Sequence, residues 1–253
     1  MDENIIGFRG MSSEKAREVR AEGISAEKEF ADLIGGKTHG SGKKKDVIDK
    51  RGDIHSVKSG EKKWQIFLYG YQRILNELDF AGAKFILECL NSFPENREEY
   101  LKNKGVYKNQ LKIAMNNFKE FLFQENNKLL FLKKAFLNNG EVDFLTIKHN
   151  EKFHIFDGDE VIRLIDSSTL VVNSKAKFEN QFDDQKVVFK LKKENITLGE
   201  IEIRNDSNIH YREIKFWMDK KKTVRLLFEN VHPSKEKIEK VIVYGKAINK
   251  FRM

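Results

Sequence analysis

The chain has 253 residues, enough to bury a sizeable core as one large domain or two modest ones. Its 47 Lys and Arg against 39 Asp and Glu leave a formal charge of +8; that favours a polyanionic partner through phosphate contacts, with a plain Lys-rich surface as the alternative. A single cysteine excludes a disulfide framework and a cysteine-built zinc site, and no apolar run approaches the ~18 residues of a membrane span.

Cys89 lies in the apolar run Phe85-Ile-Leu-Glu-Cys-Leu90, where a small core residue is expected and a reducing, cytoplasmic setting fits. The opening Met1-Asp-Glu-Asn lacks the charged-then-apolar pattern of a secretion signal, so a soluble intracellular protein with no membrane partner is expected.

Two amphipathic helices are expected first, over 12–21 and 25–34. Ser25 would cap the second, Gly35-Gly36 would stop it, and Ala26, Phe30, Leu33 and Ile34 would form its buried stripe. Residues 37–45 are rich in Gly, Ser and Lys and read as a loop. A hairpin over 46–58 follows. The run 64–69 is a buried strand or a helix start, which periodicity does not separate at this length. From 79 to 138 the apolar spacing is helical, with a break at Pro94. Beyond Asn138-Asn-Gly140 strands are expected over 142–148, 152–156, 169–172, 187–191 and 200–204, with a short helix over 157–165. The change of character near 140 divides the chain into a mixed 1–140 region and a strand-rich 141–253 region.

The hairpin Asp46-Val-Ile-Asp-Lys-Arg-Gly52-Asp-Ile-His-Ser56-Val-Lys58 carries the chemistry. Alternate strand residues share a face, so Ser56 and Lys58 point together. Asp46 joins them only if an odd loop, such as Lys50-Arg51-Gly52 with a left-handed Gly52, sets it opposite Ser56. A two-residue loop would set Asp46 opposite Val57 and destroy the group. In the useful register the carboxylate suits Mg²⁺, a hard cation that polarises a phosphate and acidifies a bound water. Lys58 would orient that water or neutralise charge on the phosphate. Solvated charges at a strand edge are the plain alternative.

The runs Ala26-Glu27-Lys-Glu-Phe30-Ala31-Asp-Leu-Ile-Gly-Gly36, Gly42-Lys-Lys-Lys-Asp46 and Gly52-Asp-Ile-His-Ser-Val-Lys58-Ser-Gly60 resemble the catalytic core of the PD-(D/E)XK nucleases. Within that superfamily the likeness is to type II restriction endonucleases, and it spans residues 23–70. The resemblance implies an α/β (α+β) fold with a mixed central sheet flanked by helices. Asp46 would match the metal-binding aspartate and Lys58 the family's lysine. Ser56 stands where the family has Asp or Glu, a weaker metal ligand. The missing carboxylate would come from Glu27, with Glu29 as competitor about 200° round the helix. Gln65 would complete the site, and Lys43 and Lys44 would contact DNA beside Asp46. Residues 1–140 would form the catalytic core with a helical insertion, and 141–253 the recognition region.

In that second region Arg204-Asn205-Asp206-Ser207 and Tyr211-Arg212 close a strand with donors suited to base edges, though Asn-Asp-Ser is also ordinary turn chemistry. Lys215-Phe-Trp217-Met-Asp-Lys-Lys-Lys222-Thr-Val-Arg225 mixes basic and aromatic residues; Trp217 is expected in the core. There is no phosphate loop, so no nucleotide cofactor is expected, and no serine-nucleophile elbow. The six histidines lack zinc-site spacing, and alternation turns His55 away from Ser56.

The expected protein is thus a Mg²⁺-dependent endonuclease cutting double-stranded DNA at a short site as a homodimer, by analogy with symmetric sites. A structure-specific repair or junction nuclease and a non-catalytic basic DNA-binding protein are the alternatives.

Overall fold

The computed structural model describes residues 13–39, 45–76, 81–124, 126–179, 181–205, 207–235 and 240–252. The chain opens with one helix, α1 (Ser13–Ile34), where two were expected, and Ser12 lies outside the described residues. Gly23 and Ser25 do not interrupt α1, because without proline its main-chain bonds still form and one interior glycine costs only about 1 kcal/mol. The helix stops at Gly35, whose φ of 63° is left-handed, and the Gly36 amide reaches back to the Ala31 carbonyl at 2.8 Å.

Four strands follow: β1 (Lys37–Thr38), β2 (Val47–Ile48), β3 (Ile54–Lys58) and β4 (Lys63–Gly70), so the ambiguous 64–69 run is a strand. The helical stretch comprises α2 (Tyr71–Leu75), α3 (Ala83–Asn91), α4 (Arg97–Lys102), α5 (Lys104–Phe123) and α6 (Asn127–Leu137); Asp79 lies outside the described residues. Next come β5 (Phe144–His149), β6 (Lys152–Asp157), α7 (Gly158–Ser168), β7 (Thr169–Asn173), β8 (Lys186–Leu191) and β9 (Thr197–Arg204). The chain continues through β10 (Glu213–Asp219), α8 (Lys220–Asn230), β11 (Val241–Val243) and α9 (Ala247–Lys250). Among the described residues no helix is long and apolar enough to cross a membrane.

The strands form two sheets. The first runs β1-β2-β3-β5-β6-β11 and is mixed: the β1–β2–β3 pairs are antiparallel, β3 and β5 are parallel, and β11 is parallel to β6. The second runs β4-β10-β9-β8-β7 and is antiparallel throughout. This corrects the division at 140. β4 comes from the first region yet belongs to the second sheet, while β5, β6 and β11 extend the first sheet from the other side. Strand pairing is set by which apolar faces meet, and local sequence character does not record it.

Helix α1 covers one face of the first sheet, where Phe30, Ala31 and Ile34 pack on Val47, Val57, Phe144 and Ile155. The opposite face sends Leu145, Ile147 and Phe156 into the main core with α3, α5, α6 and the second sheet. Phe131 of α6 lies at its centre, its ring 5.8 Å from Phe216 and 6.2 Å from Phe67. Cys89 is fully buried there, as expected. Alternation along β9 buries Ile201 and Ile203, whereas Glu200 and Glu202 clasp Lys186 at 2.9 and 2.8 Å. The molecule is therefore mixed α and β, with helices on both faces of its mixed sheet.

Candidate active site

The β2–β3 hairpin has the register the chemistry needs. Val47 lies opposite His55 and Ile48 opposite Ile54; just before this pairing the Asp46 amide donates to the His55 carbonyl at 3.1 Å, and the Asp46 side chain meets the Ser56 hydroxyl. The loop is Lys50-Arg51-Gly52, with Gly52 at φ 91°. The Asp49 carboxylate braces it by accepting from the amides of Arg51 (2.8 Å) and Asp53 (2.9 Å).

Asp46, Ser56 and Lys58 form one connected group. Asp46 Oδ2 accepts from the Val57 amide at 2.7 Å and from the Ser56 hydroxyl at 3.2 Å. Lys58 Nζ donates to Ser56 Oγ at 2.6 Å and stands 3.8 Å from Asp46 Oδ2. The Asp46 and Lys58 side chains are 17% and 19% exposed, reachable by a ligand yet sheltered enough to strengthen their mutual field. Among the described residues each of these contacts falls on Oδ2 rather than Oδ1.

Glu27 adds the second carboxylate. Burial raises its proton affinity, the neighbouring Asp46 charge raises it further, and Lys58 pulls the other way. All three groups therefore share one field. Glu29 is turned elsewhere: it accepts from Lys148 Nζ at 2.6 Å and stands 3.8 Å from Lys240. His55 points to the opposite face, ringed by Phe30, Phe144 and Phe251, as strand alternation requires.

Other expected residues are placed differently. Gln65 sits on β4 in the second sheet, opposite Trp217, because the chain changes sheets after Lys58. Tyr211 donates to the Pro94 carbonyl at 2.9 Å, inside an aromatic group with Phe93 and Tyr100. Arg212 donates to the Leu90 carbonyl at 3.2 Å and to Asn91 Oδ1 at 3.3 Å. Both side chains thus fasten the β9–β10 turn to the α3–α4 region. The Asn205 carbonyl accepts from Arg97 Nε, Ser207 Oγ accepts from the His210 amide, and Arg204 is half-buried with partners of its own. Lys43, Lys44 and Asp206 lie outside the described residues.

The turn and the Asp46 group lie near opposite ends of β10. Glu213 begins β10 beside the turn, while Lys220, just past its other end, bonds the Lys62 and Ser59 carbonyls next to Lys58. The two ends of β10 are about 20 Å apart at the usual rise per residue.

Beside the Asp46 group, an open cleft of about 1110 Å³ lies between α1, the β3–β4 and β5–β6 turns and the start of α8. Its lining includes Ala26 and Ser59, the immediate neighbours of Glu27 and Lys58, although not those residues themselves. Five basic side chains line it against three glutamates. Lys62 drew no notice in the sequence, whereas Lys220 and Lys221 fall in the basic-aromatic stretch that did.

Two carboxylates and a hydroxyl are hard oxygen donors, and Mg²⁺ commonly binds through one or two carboxylates while keeping several waters. Burial and then the Asp46 charge raise the proton affinity of Glu27, and a bound cation would offset the second of these. The donor set fits Mg²⁺ sparingly, since among the described residues no cluster of three or more acidic, His or Cys side chains surrounds it. Comparison of the chain with protein-family models, curated proteins and solved structures gives no match.

Proposed function

We propose that the chain is a Mg²⁺-dependent endonuclease that hydrolyses phosphodiester bonds of double-stranded DNA at a short specific sequence, as type II restriction enzymes do. The observation that carries this reading is the meeting of the Asp46 carboxylate and the Lys58 ammonium at 3.8 Å across Ser56, within the field of Glu27. The fold is read as PD-(D/E)XK-like, supported by α1 packed on a mixed sheet whose antiparallel β1–β2–β3 run continues into a parallel β5.

Asp46 and Glu27 are the residues that would hold the ion, which when bound would supply polarisation of the scissile phosphate and acidification of a water. Ser56 fixes the Lys58 ammonium by a 2.6 Å bond, so that the lysine faces the phosphate with little loss of side-chain freedom on binding. Lys58 orients the attacking water and offsets the negative charge that grows on the phosphate oxygens. The Val57 amide holds Asp46 Oδ2 in place. Reading a symmetric site further implies a homodimer; a nucleotide cofactor and a membrane have no part in the mechanism.

Incubating the purified protein with plasmid DNA in Mg²⁺ and mapping the ends tests the proposal. Discrete fragments with one end sequence support it. Cleavage confined to branched or single-stranded substrates would replace it with a structure-specific nuclease. The hydroxyl of Ser56 in a carboxylate's place favours one further reading, a DNA-binding protein without catalysis. Salt-sensitive binding with no nicking in either Mg²⁺ or Mn²⁺ would establish that alternative.

A further inference from the structure

We propose that the cleft between the β3–β4 turn, the β5–β6 turn and the start of α8 seats the sugar-phosphate backbone of duplex DNA, gripped by Lys62, Lys220 and Lys221. The inference rests on the nuclease reading for its choice of polyanion, but its residues are separate from Asp46, Ser56 and Lys58. It adds to the contacts expected at the β9–β10 turn a second surface, which reaches Ser59 beside Lys58.

The three lysines come from two segments that the fold locks together. The Lys220 amide donates to the Lys62 carbonyl at 3.0 Å, and its ammonium reaches the Ser59 carbonyl at 3.5 Å, one residue beyond Lys58. Lys220 thus reaches the residue next to Lys58 in the chain. Lys62 and Lys221 are exposed, and among the described residues neither is held by a carboxylate. Lys222, by contrast, is occupied by the Thr197 carbonyl at 2.7 Å and by Asp219.

The placement of these charges runs against local preference. Lys220, Lys221 and Lys222 occupy the first turn of α8, which holds no acidic residue, and a helix start disfavours cations. Burial depresses the proton affinity of Lys220, with Glu61 pulling the other way, and burial followed by the Lys220 charge lowers that of His149 across the cleft. Lys62 and Lys221, exposed on this rim, are charges that a polyanion can neutralise while releasing its own counterions. Of the five basic side chains in the lining, Lys148 is paired with Glu29 and Arg225 with Glu194, which leaves Lys62, Lys220 and Lys221 facing Glu22, Glu61 and Glu151.

The test is fluorescence anisotropy of a labelled duplex in EDTA, where cleavage cannot confuse binding, across a KCl titration. The comparison is between the full-length wild type, the double variant Lys62→Glu/Lys221→Glu and Lys84→Glu, an exposed lysine outside the cleft. Both cleft positions are exposed, and circular dichroism checks that each variant is folded. The expected result is at least tenfold weaker binding by the double variant, with a salt slope shallower by about 2, and no change for Lys84→Glu. Wild-type affinity and slope in the double variant, or no duplex binding by the wild type, overturn the cleft. A parallel nicking assay in Mg²⁺ separates the two ideas: cleft-dependent binding without nicking sinks the nuclease reading and leaves the cleft standing.

Discussion

Ser56 is only 3% exposed, and its hydroxyl stands between two charges, donating to Asp46 Oδ2 and accepting from Lys58 Nζ. A hydroxyl relay suits this position because a carboxylate there would add a third negative charge to Asp46 and Glu27. Ser56→Ala leaves the hairpin intact but frees Lys58 from its shortest bond. Bonds to charged groups contribute about 1.5–3 kcal/mol, so cleavage should fall roughly ten- to a hundredfold while duplex binding in EDTA stays within twofold. Unchanged cleavage by Ser56→Ala would show that Lys58 needs no positioning, and Ser56 would leave the mechanism.

At the scale of elements, the site depends on how closely α1 meets the hairpin. A Cβ on Gly36 would lie 2.5 Å from the Ile48 carbonyl oxygen and 3.3 Å from Asp49 Cα, both main-chain atoms that cannot swing aside. Gly36→Ala should therefore push the end of α1 off β2, costing about 1–3 kcal/mol and carrying Glu27 away from Asp46. Urea unfolding reads the first effect. A raised Mg²⁺ requirement for cleavage reads the second, and an unaltered one would sever Glu27 from the ion.

The hairpin itself was legible in the sequence, because Gly52 and strand alternation permit few registers that keep Val47 and Val57 on the buried face. The strands β5 to β9 were legible for the same reason. What escaped was everything fixed by distant partners. Tyr211 and Arg212 have the composition of a DNA-reading turn, yet they bond carbonyls 117 and 122 residues away. β4 continues directly from the candidate site but leaves for another sheet, taking Gln65 with it, because its apolar face matches β10. Local pattern gives a residue's face; it does not give the identity of the neighbour across that face.

For the whole molecule, the exchange of strands across residue 140 makes the fold one cooperative unit. Expressed separately, 1–140 would lack β5, β6 and β11 from the first sheet, and 141–253 would lack β4 from the second. Neither half should show dispersed amide NMR signals alone. A well-dispersed spectrum from either would contradict the topology. Acid should also destabilise the fold through His55, which bonds Thr146 Oγ1 at 2.9 Å, stands 3.9 Å from Asp49 Oδ2 and packs against aromatic rings. Burial, partly offset by Asp49, lowers its pKa from 6.5 to about 4. The unfolded chain then binds the extra proton between those values, so this contribution is complete above pH 6.5 and is lost as pH falls towards 4. The loss is on the order of 1 kcal/mol per pH unit, and His55→Gln should flatten it in urea midpoints measured across that range.

The central claim is that the carboxylate at position 46 works in chemistry and not in grip. The most direct measurement sets wild type and Asp46→Ala side by side on plasmid DNA in Mg²⁺, with duplex binding by both recorded in EDTA. The account predicts fragments from the wild type, none from the variant, and affinities within a few-fold of each other. Cleavage by Asp46→Ala at the wild-type rate would contradict it.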